Sequence, residues 1–419
     1  MRVEIITIGD ELLVGQTIDT NSAYMAKGLN SVGLEVHQIT TVSDKEDHII
    51  EALDSAEKRV DVVLMTGGLG PTKDDITKHT LCKYFDTTLE IHEDILAQIT
   101  SFFNGIGREM LEVNRLQAAL PLACAPLINL RGTAPGMWFE RKGTIFVSMP
   151  GVPHEMRGLM DDEVIPRLKK RFNTREIAHL SIMTQGVGES YLAEMIGPWV
   201  DSLAPLNISL AYLPSAGSLK LRLSKYGRLG DTGLIAELET KARELEKQIP
   251  QIVYGFNEET LEEVVGALLI SRGETLSTAE SCTGGLISKF ITSTPGSSVY
   301  FEGSIVSYSN RIKQELLGVK NDTLEAHGAV SEQVVEQMAM GAQQKLATTW
   351  SISTSGIAGP SGGSEEKPVG TVWISIAGPQ GVTSQKYMMG NDRRGNIKRS
   401  ALTALNMLRV EILKQPFVN

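Results

Sequence analysis

Residues 2–66 alternate between short apolar runs and amphipathic runs. The apolar runs predict strands at residues 3–8, 34–42 and 61–65, and the amphipathic runs predict helices at residues 21–31 and 45–58. Runs of this length are typical of buried strands joined by crossover helices. This βαβαβ rhythm predicts a doubly wound α/β sheet, which binds ligands in the loops at the carboxyl ends of its strands.

Between residues 171 and 255 the order of elements changes and predicts a small α+β domain. The expected strands are residues 177–185, 208–214 and 219–225. The expected helices are residues 190–199 and a charged amphipathic helix at residues 234–247. The boundaries of composition and pattern therefore divide the chain into residues 1–170, 171–255 and 256–419.

From residue 260 the α/β pattern returns. A predicted helix at residues 261–271 leads to a strand at 275–279, and Gly284 and Gly285 open the next helix. Ser281 therefore lies on a strand-to-helix turn. Its hydroxyl either caps the helix or faces unpaired backbone N–H groups that can hold an oxyanion, and the turn alone favours the cap.

Two further side chains could meet Ser281 at the carboxyl ends of neighbouring strands. Tyr308 ends a predicted strand at residues 303–308, and Lys313 lies on the helix that begins near Asn310. A lysine acts as a general base only when desolvation lowers its pKa enough to leave the amine neutral. The alternative is an exposed lysine on an amphipathic helix, and spacing alone favours it.

Composition narrows the class of protein. The chain has 419 residues, of which 42% are hydrophobic and 21% charged, with a formal charge of -10. This charge argues against a general nucleic-acid binder, because such a protein neutralises phosphates. The three cysteines (Cys82, Cys124 and Cys282) form neither a CxxC pair nor a Cys/His zinc pattern. No apolar run reaches the length of about 18 residues that a membrane span needs, so we expect a cytoplasmic protein.

Carboxylates accompany a glycine-rich loop in the first domain. The loop contains Gly67, Gly68 and Gly70 after the third strand, and its glycines allow a phosphate to approach the backbone. Four carboxylates follow the first strand and this loop: Asp10, Glu11, Asp74 and Asp75. Paired acids are often helix caps, but their combination with a glycine loop favours metal ligands.

Residues 67–75, 19–22 and 149–156 resemble motifs of the molybdopterin-binding-like domain of the CinA family, the competence/damage-inducible proteins. The resemblance covers about residues 1–170 and implies a nucleotide site formed by Gly67, Gly68, Gly70, Asp44 and Asp75. In some members this domain is similar to an ADP-ribose pyrophosphatase that uses a divalent metal. The middle segment resembles the KH-like domain of full-length members but lacks a GxxG loop, so nucleic acid is not an expected partner.

The C-terminal portion resembles the PncC-type nicotinamide-nucleotide amidase domain of the same family. The motifs occur in order at residues 279–285, 308–310, 328–331 and 356–360. The family is similar to Ser/Lys amidohydrolases, which implies Ser281 as nucleophile, Lys313 as base and Tyr308 as a group that relays or orients the proton. It also implies a homodimer.

The implied reaction converts nicotinamide mononucleotide to nicotinate mononucleotide and ammonia, without a metal. Substrate and oxyanion contacts are expected from Thr283, Gly284 and Gly285, and phosphate contacts from Gly356, Gly359, Arg393, Arg394 and Arg399. The family pattern is usually Gly-Asp-Arg, whereas this chain has an additional asparagine in Gly390-Asn391-Asp392-Arg393-Arg394. Which arginine binds phosphate therefore stays open.

Three hypotheses follow. The chain is an enzyme of pyridine-nucleotide salvage with a second, pyrophosphatase site; or its N-terminal domain is a nucleotide- or pterin-binding module beside an active C-terminal domain; or the chain is a competence or DNA-damage adaptor. The negative charge and the missing GxxG loop count against the adaptor.

Overall fold

The computed structural model describes residues 1–70, 72, 75–172, 176–215, 217–228 and 230–415. The chain forms two compact units. One contains Met1–Ala178 and Tyr226–Thr232, and the other contains His179–Lys225 and Gly233–Asn419. In the described part of the chain, no helix combines the length and the apolar character needed to cross a bilayer.

The first unit contains eight strands and eight α-helices among its described residues. The strands are β1 (Arg2–Ile8), β2 (Glu35–Val42), β3 (Val62–Thr66), β4 (Leu89–Ile91), β5 (Ala119–Pro121), β6 (Ala125–Leu127), β7 (Gly136–Arg141) and β8 (Thr144–Met149). The helices are α1 (Asp10–Leu13), α2 (Asn21–Ser31), α3 (Glu46–Glu57), α4 (Thr77–Tyr84), α5 (Glu93–Gly105), α6 (Glu112–Arg115), α7 (Pro153–Leu159) and α8 (Ile165–Arg171). A 3₁₀ turn at Leu116–Ala118 precedes β5, and a π-helical turn at Met160–Val164 joins α7 to α8.

The main sheet of this unit has the strand order β2-β1-β3-β8-β7-β6. Its first four strands are parallel, whereas β7 and β6 run antiparallel to their neighbours. Successive residues of β1 enter different cores: Ile5 packs with Met25 of α2, and Ile6 packs with Leu53 of α3. Both faces of the sheet are therefore covered, which confirms the predicted doubly wound fold.

The second unit contains nine strands and nine α-helices in its described part. The strands are β9 (Ile177–Thr184), β10 (Ile208–Ser215), β11 (Ser218–Tyr226), β12 (Val253–Phe256), β13 (Leu276–Glu280), β14 (Phe301–Val306), β15 (Trp350–Gly356), β16 (Thr371–Gly378) and β17 (Gly381–Met388). The helices are α9 (Glu189–Met195), α10 (Gly197–Asp201), α11 (Leu234–Gln248), α12 (Leu261–Arg272), α13 (Leu286–Ser293), α14 (Asn310–Leu317), α15 (Asn321–His327), α16 (Glu332–Leu346) and α17 (Arg393–Lys414). Short 3₁₀ turns lie at Ala204–Leu206 and Ser297–Val299.

These strands form two sheets, a four-stranded sheet of order β10-β11-β9-β12 and a five-stranded sheet of order β14-β13-β15-β16-β17. The single helix predicted at residues 190–199 is wrong, because α9 ends at Met195 and α10 begins at Gly197. Pro198 explains the break, since proline supplies no N–H for a continuous helix and disfavours helical backbone in the residue before it.

The five-stranded sheet places the carboxyl ends of three parallel strands side by side. Strand β13 is central and runs parallel to both β14 and β15. Strand β14 ends at Val306, so Tyr308 lies two residues beyond the strand and not at its predicted end. Backbone hydrogen bonds from Ser281 to Thr354 and from Ser307 to Glu280 hold the following loops together.

Candidate functional site

Ser281 and Lys313 meet at the carboxyl end of β13. Lys313 Nζ lies 3.1 Å from Ser281 Oγ, and the two residues are 1% and 8% exposed. Helix α14 brings the lysine to this place because Ser309 caps it, its hydroxyl accepting from the Ile312 amide. The predicted alternative of an exposed lysine on an amphipathic helix is therefore wrong.

The surroundings of Lys313 lower the proton affinity of its amine. Burial lowers its pKa from the ordinary value of 10.5, and the lysine forms no salt bridge with a described residue. Its Nζ instead contacts two backbone carbonyls, Ser307 O at 2.8 Å and Tyr308 O at 3.5 Å. Carbonyl dipoles compensate a buried positive charge less than a carboxylate does, so the amine gives up its proton more readily than an exposed lysine.

The first turn of α13 is occupied by Glu280, not by Ser281. The fully buried Glu280 carboxylate accepts hydrogen bonds from the Gly285, Ile287 and Ser288 amides at 2.9–3.1 Å and from the Ser288 hydroxyl at 2.9 Å. The helix N-terminus thus compensates the charge of a buried acid. The cap interpretation of Ser281 is wrong, and its hydroxyl is left to Lys313.

The glycine turn makes this arrangement of Glu280 possible. Gly284 and Gly285 have φ angles of 61° and 97°, in the left-handed region that glycine adopts with little strain. Residue patterning did not indicate Glu280, although it stands inside the 279–285 motif. The sequence does contain a signal for this role: a carboxylate at the end of a predicted strand, five residues before the first amide whose hydrogen bond it accepts.

Two of the amides that were expected to hold the oxyanion already donate to other acceptors. The Gly285 amide donates to Glu280, and the Gly284 amide donates to the carbonyl of Ser281. The amides of Cys282 and Thr283 donate to no other described residue. Of the predicted residues, Thr283 therefore keeps an N–H without a described acceptor, but Thr283, Gly284 and Gly285 do not line the cavity beside Ser281. Cys282 does line it and supplies a second such N–H, which the sequence did not indicate.

A cavity of about 210 Å³ opens beside Ser281 and Lys313. The lining comes from the ends of three strands, from α14 and α17, and from the loop between α15 and α16: Ser281, Cys282, Tyr308, Asn310, Lys313, Ala329, Val330, Ser355, Gly356, Ala358 and Arg393. Gly356 is among the predicted phosphate-binding residues, and Asn310 is a polar lining residue for which the sequence predicted no contact with substrate.

Tyr308 contacts an arginine at this cavity. Its phenol is 63% exposed and accepts a hydrogen bond from Arg393 Nη2 at 3.2 Å, and it makes no hydrogen bond to Ser281 or Lys313. Arg393 Nη1 donates to the carbonyl of Gly359 at 2.6 Å. A role for the phenol as proton relay stays a prediction. In the structure the phenol oxygen contacts the guanidinium of Arg393.

The three predicted arginines are not equivalent. Arg393 lines the cavity, whereas Arg394 is exposed outside the lining. Arg399 donates to the side chain of Asn396 within α17 and is also outside the lining. Gly359 accepts a hydrogen bond from Arg393 through its carbonyl oxygen, so the amide of Gly359 takes no part in that contact. Arg393 is thus the arginine best placed for an anion in this cavity.

The first unit contains a second, larger cavity of about 420 Å³. The predicted nucleotide-site residues all line it: Gly67, Gly68, Gly70, Asp44 and Asp75. Glycine is required at position 67, because a Cβ there would lie 2.1 Å from the carbonyl oxygen of Ile8. The strand-end loops therefore converge as the doubly wound topology predicts.

The predicted carboxylates are only partly gathered at this cavity. Glu11 and Asp75 line it, Asp10 contributes its amide to the Asp44 carboxylate at 3.0 Å, and Asp74 lies outside the described residues. Burial raises the pKa of Asp44, and the neighbouring carboxylates Glu11, Asp10 and Asp75 raise it further. A cation beside these carboxylates would relieve their mutual repulsion.

The donor set fits a metal that is held together with a ligand. Among the residues that the structure describes, no three His, Cys, Asp or Glu side chains form a metal site by themselves. Mg²⁺ is commonly bound by one or two carboxylates together with substrate phosphates. One or two carboxylates from the set Asp44, Asp75 and Glu11, which all line the cavity, suit that mode.

Two family descriptions match the chain. Residues 4–170 match the probable molybdopterin binding domain, and residues 258–412 match the CinA C-terminal domain. These ranges contain the two cavities described above.

Full-length relatives match over nearly the whole sequence. The chain is 47% identical to a CinA-like protein of Flavobacterium psychrophilum, with 99% of each chain covered. It is 40% identical to a putative competence-damage inducible protein of Caldanaerobacter subterraneus subsp. tengcongensis, with 98% of each covered. A crystal structure of the competence/damage inducible protein CihA from Agrobacterium tumefaciens is 38% identical over 38% of this chain and 98% of that one, with a TM-score of 0.35. The protein belongs to the CinA family.

Proposed function

We propose that the C-terminal site hydrolyses the carboxamide of nicotinamide mononucleotide to nicotinate mononucleotide and ammonia. The observation that carries this proposal is the buried contact of 3.1 Å between Lys313 Nζ and Ser281 Oγ. A serine hydroxyl becomes a nucleophile when a neighbouring base accepts its proton, and a desolvated lysine is such a base. The resemblance to the amidase domain supplies the substrate.

The contacts of Lys313 suit the neutral form of its amine. A neutral amine has two N–H bonds and one lone pair. The carbonyls of Ser307 and Tyr308 can accept the two N–H bonds, which directs the lone pair toward the hydroxyl of Ser281. Proton transfer from Ser281 to Lys313 then needs no rearrangement of the base.

The reaction proceeds in two halves. Lys313 accepts the Ser281 proton while Oγ attacks the amide carbon, and the amides of Cys282 and Thr283 hold the oxyanion. The ammonium form of Lys313 returns the proton to the leaving nitrogen, which departs as ammonia and leaves a nicotinate ester on Ser281. Lys313 next removes a proton from water, which attacks the ester, and Ser281 recovers its proton as the acid leaves.

The direct experiment is to incubate the full chain with nicotinamide mononucleotide and to measure ammonia and nicotinate mononucleotide together. The proposal expects the two products in equal amounts. Failure of the wild-type chain to release ammonia would contradict the proposed reaction.

Arg393→Ala is expected to raise KM for nicotinamide mononucleotide on the order of tenfold to a hundredfold, because the guanidinium pairs with the 5'-phosphate dianion. The change in kcat should be smaller, since Arg393 does not contact Ser281 or Lys313. Steady-state kinetics with nicotinamide mononucleotide and with the phosphate-free nicotinamide riboside measure the effect.

Arg394→Ala is the matched control, since the neighbouring arginine is exposed outside the cavity lining and should leave KM unchanged. An equal loss for the riboside and the mononucleotide in Arg393→Ala would assign the arginine to support of Tyr308 and the Gly359 loop instead of to phosphate binding.

A second candidate function concerns the first unit, where one cavity combines a glycine loop with Glu11, Asp44 and Asp75. We propose that this site hydrolyses a phosphoanhydride such as that of ADP-ribose. A divalent cation held by one or two of these carboxylates together with the substrate would neutralise phosphate charge and lower the pKa of the attacking water. The amides of the 67–70 loop would bind phosphate oxygens.

Asp75→Ala is expected to lower metal-dependent release of AMP from ADP-ribose on the order of a hundredfold, because one charged group of the site is removed. The assay follows AMP with and without added Mg²⁺. Asp47→Ala, an exposed acid on α3 away from the cavity, is the control. If the wild-type chain forms no AMP with Mg²⁺, the unit is a binding module and not a pyrophosphatase.

A further inference from the structure

One buried acid of the second unit has no part in the reaction proposed above. Glu280 is the last residue of β13 and is fully buried, and its carboxylate forms no ion pair with a described residue. A buried carboxylate without an opposite charge is costly unless hydrogen bonds compensate it. Its place directly before Ser281 therefore calls for an explanation.

The carboxylate of Glu280 closes the first turn of α13. Oε2 accepts from the amides of Gly285 and Ile287 at 2.9 and 3.1 Å, and Oε1 accepts from the amide and the hydroxyl of Ser288, both at 2.9 Å. Amides at the start of a helix have no acceptor within the helix. The carboxylate thus ties the end of β13 to the start of α13, and residues 281–284 form the turn between them.

The backbone of the same residue reaches the proposed base. The carbonyl of Glu280 accepts from the Ser307 amide at 2.8 Å, and the carbonyl of Ser307 accepts from Lys313 Nζ at 2.8 Å. The side chain of Glu280 therefore holds the turn that carries the nucleophile. Its main chain holds the carbonyl that contacts the base.

Removal of the carboxylate would leave the α13 amides open to another acceptor. Serine is itself a favoured partner for amides at a helix start, and Ser281 follows Glu280 directly. A Ser281 hydroxyl drawn to those amides would leave Lys313, and the neighbouring amide of Cys282 would turn with it. A displacement of about 1 Å in a reacting group can lower a rate on the order of a hundredfold.

We propose that Glu280 is a positioning residue of the amidase site: its carboxylate fills the start of α13, which keeps the Ser281 hydroxyl on Lys313 and leaves the Cys282 amide for the oxyanion. The inference rests on the proposed amidase function. Glu280 does not line the cavity, so it acts through Ser281 and not by contact with the substrate.

The test combines steady-state kinetics and calorimetry on the full chain and on Glu280→Gln. A glutamine side chain replaces one carboxylate oxygen with an NH₂ group, which cannot accept from an α13 amide. We expect kcat with nicotinamide mononucleotide to fall about a hundredfold while KM stays within about twofold of wild type. Calorimetric titration with the product, nicotinate mononucleotide, should give the wild-type Kd and the wild-type number of sites per chain.

Two readouts separate positioning from other roles. If the substitution only unfolded part of the protein, kcat and the number of binding sites would fall in the same proportion. If Glu280 were itself an acid–base group, the rise of kcat/KM with pH would disappear in the variant. Positioning predicts a full number of sites and a retained rise, because Lys313 remains the base.

Glu274→Gln is the matched control. Glu274 lies before the other end of β13, and its Oε2 accepts from the Trp350 indole at 2.7 Å. Loss of that contact should lower the urea midpoint and leave kcat unchanged.

Glu280→Asp provides the test if Glu280→Gln does not fold. It keeps the charge, but its side chain is one methylene shorter and holds the α13 amides less closely. We expect kcat to fall about tenfold at an unchanged KM.

Failure of the inference and failure of the proposed function give different results. If wild type releases ammonia and the folded Glu280 variants match its kcat, lose binding sites in proportion to kcat, or lose the rise with pH, Glu280 is not a positioning residue although the amidase function stands. If wild type releases no ammonia, the proposed function fails and the inference fails with it.

Discussion

Ser281→Ala is expected to lower ammonia release from nicotinamide mononucleotide about 10⁴-fold or more, because removal of a nucleophile leaves only binding and oxyanion stabilisation. Among the described residues, the hydroxyl has one side-chain partner, Lys313, and the turn amides that would otherwise be capped by a serine are occupied by Glu280. The fold should therefore tolerate the substitution. If wild type and Ser281→Ala have the same urea midpoint, the difference between their rates reports the loss of chemistry and not a loss of folded protein.

Cys282 is the alternative nucleophile that this experiment must separate from Ser281. Burial raises the pKa of its thiol to about 12, so it is a thiol and not a thiolate at neutral pH. Cys282→Ala should keep ammonia release near the wild-type level, since only its backbone amide enters the proposed mechanism. Substantial activity in Ser281→Ala together with its loss in Cys282→Ala would reverse the assignment.

Lys313→Met is expected to lower kcat about a thousandfold or more, because the general base is replaced by an unbranched side chain that cannot accept a proton. Lys313→Arg should be similarly inactive, since a guanidinium stays protonated in proteins. Lys289→Met, on the exposed side of α13, is the control and should be fully active. Activity in Lys313→Arg near the wild-type level would show that a positive charge, not a base, is needed.

The pH dependence gives the same prediction a second readout. Desolvation lowers the pKa of Lys313 below 10.5, so kcat/KM should rise with pH through the lowered value and level off before pH 10.5. Stability should change in the same direction. Between the lowered pKa and 10.5 the unfolded chain binds the proton at this lysine and the folded chain does not, so the contribution of Lys313 to the free energy of unfolding increases with pH. In Lys313→Met the rise of kcat/KM with pH should disappear, and the slope of stability with pH should lose the Lys313 contribution when compared with wild type.

Much of the fold could be predicted from periodicity. The predicted helix at residues 21–31 coincides with α2. Each end of the other four elements predicted in residues 2–66 lies within one residue of the corresponding end in the structure. Local patterns succeed here because strands and helices bury their apolar residues with periods of two and 3.6. They failed at residues 190–199, where Pro198 breaks a pattern that apolar spacing alone made continuous.

The candidate site divides differently between sequence and structure. Motif resemblance indicated Ser281 and Lys313, but spacing alone favoured a cap and an exposed lysine. Both alternatives depended on what surrounds the two residues. The parallel pairing of β13 with β14 and the capped start of α14 bring side chains 32 residues apart into contact and remove the lysine from water.

The sequence by itself therefore determined the order of elements, the two α/β portions, and the residue types available to each site. Only the tertiary structure decided which amides remain for an oxyanion and which arginine reaches the cavity. Those properties depend on contacts between distant segments, such as Glu280 with the α13 amides and Arg393 with Gly359. A local pattern carries no record of them, because hydrogen-bond partners and desolvation are set by the packing of the whole unit.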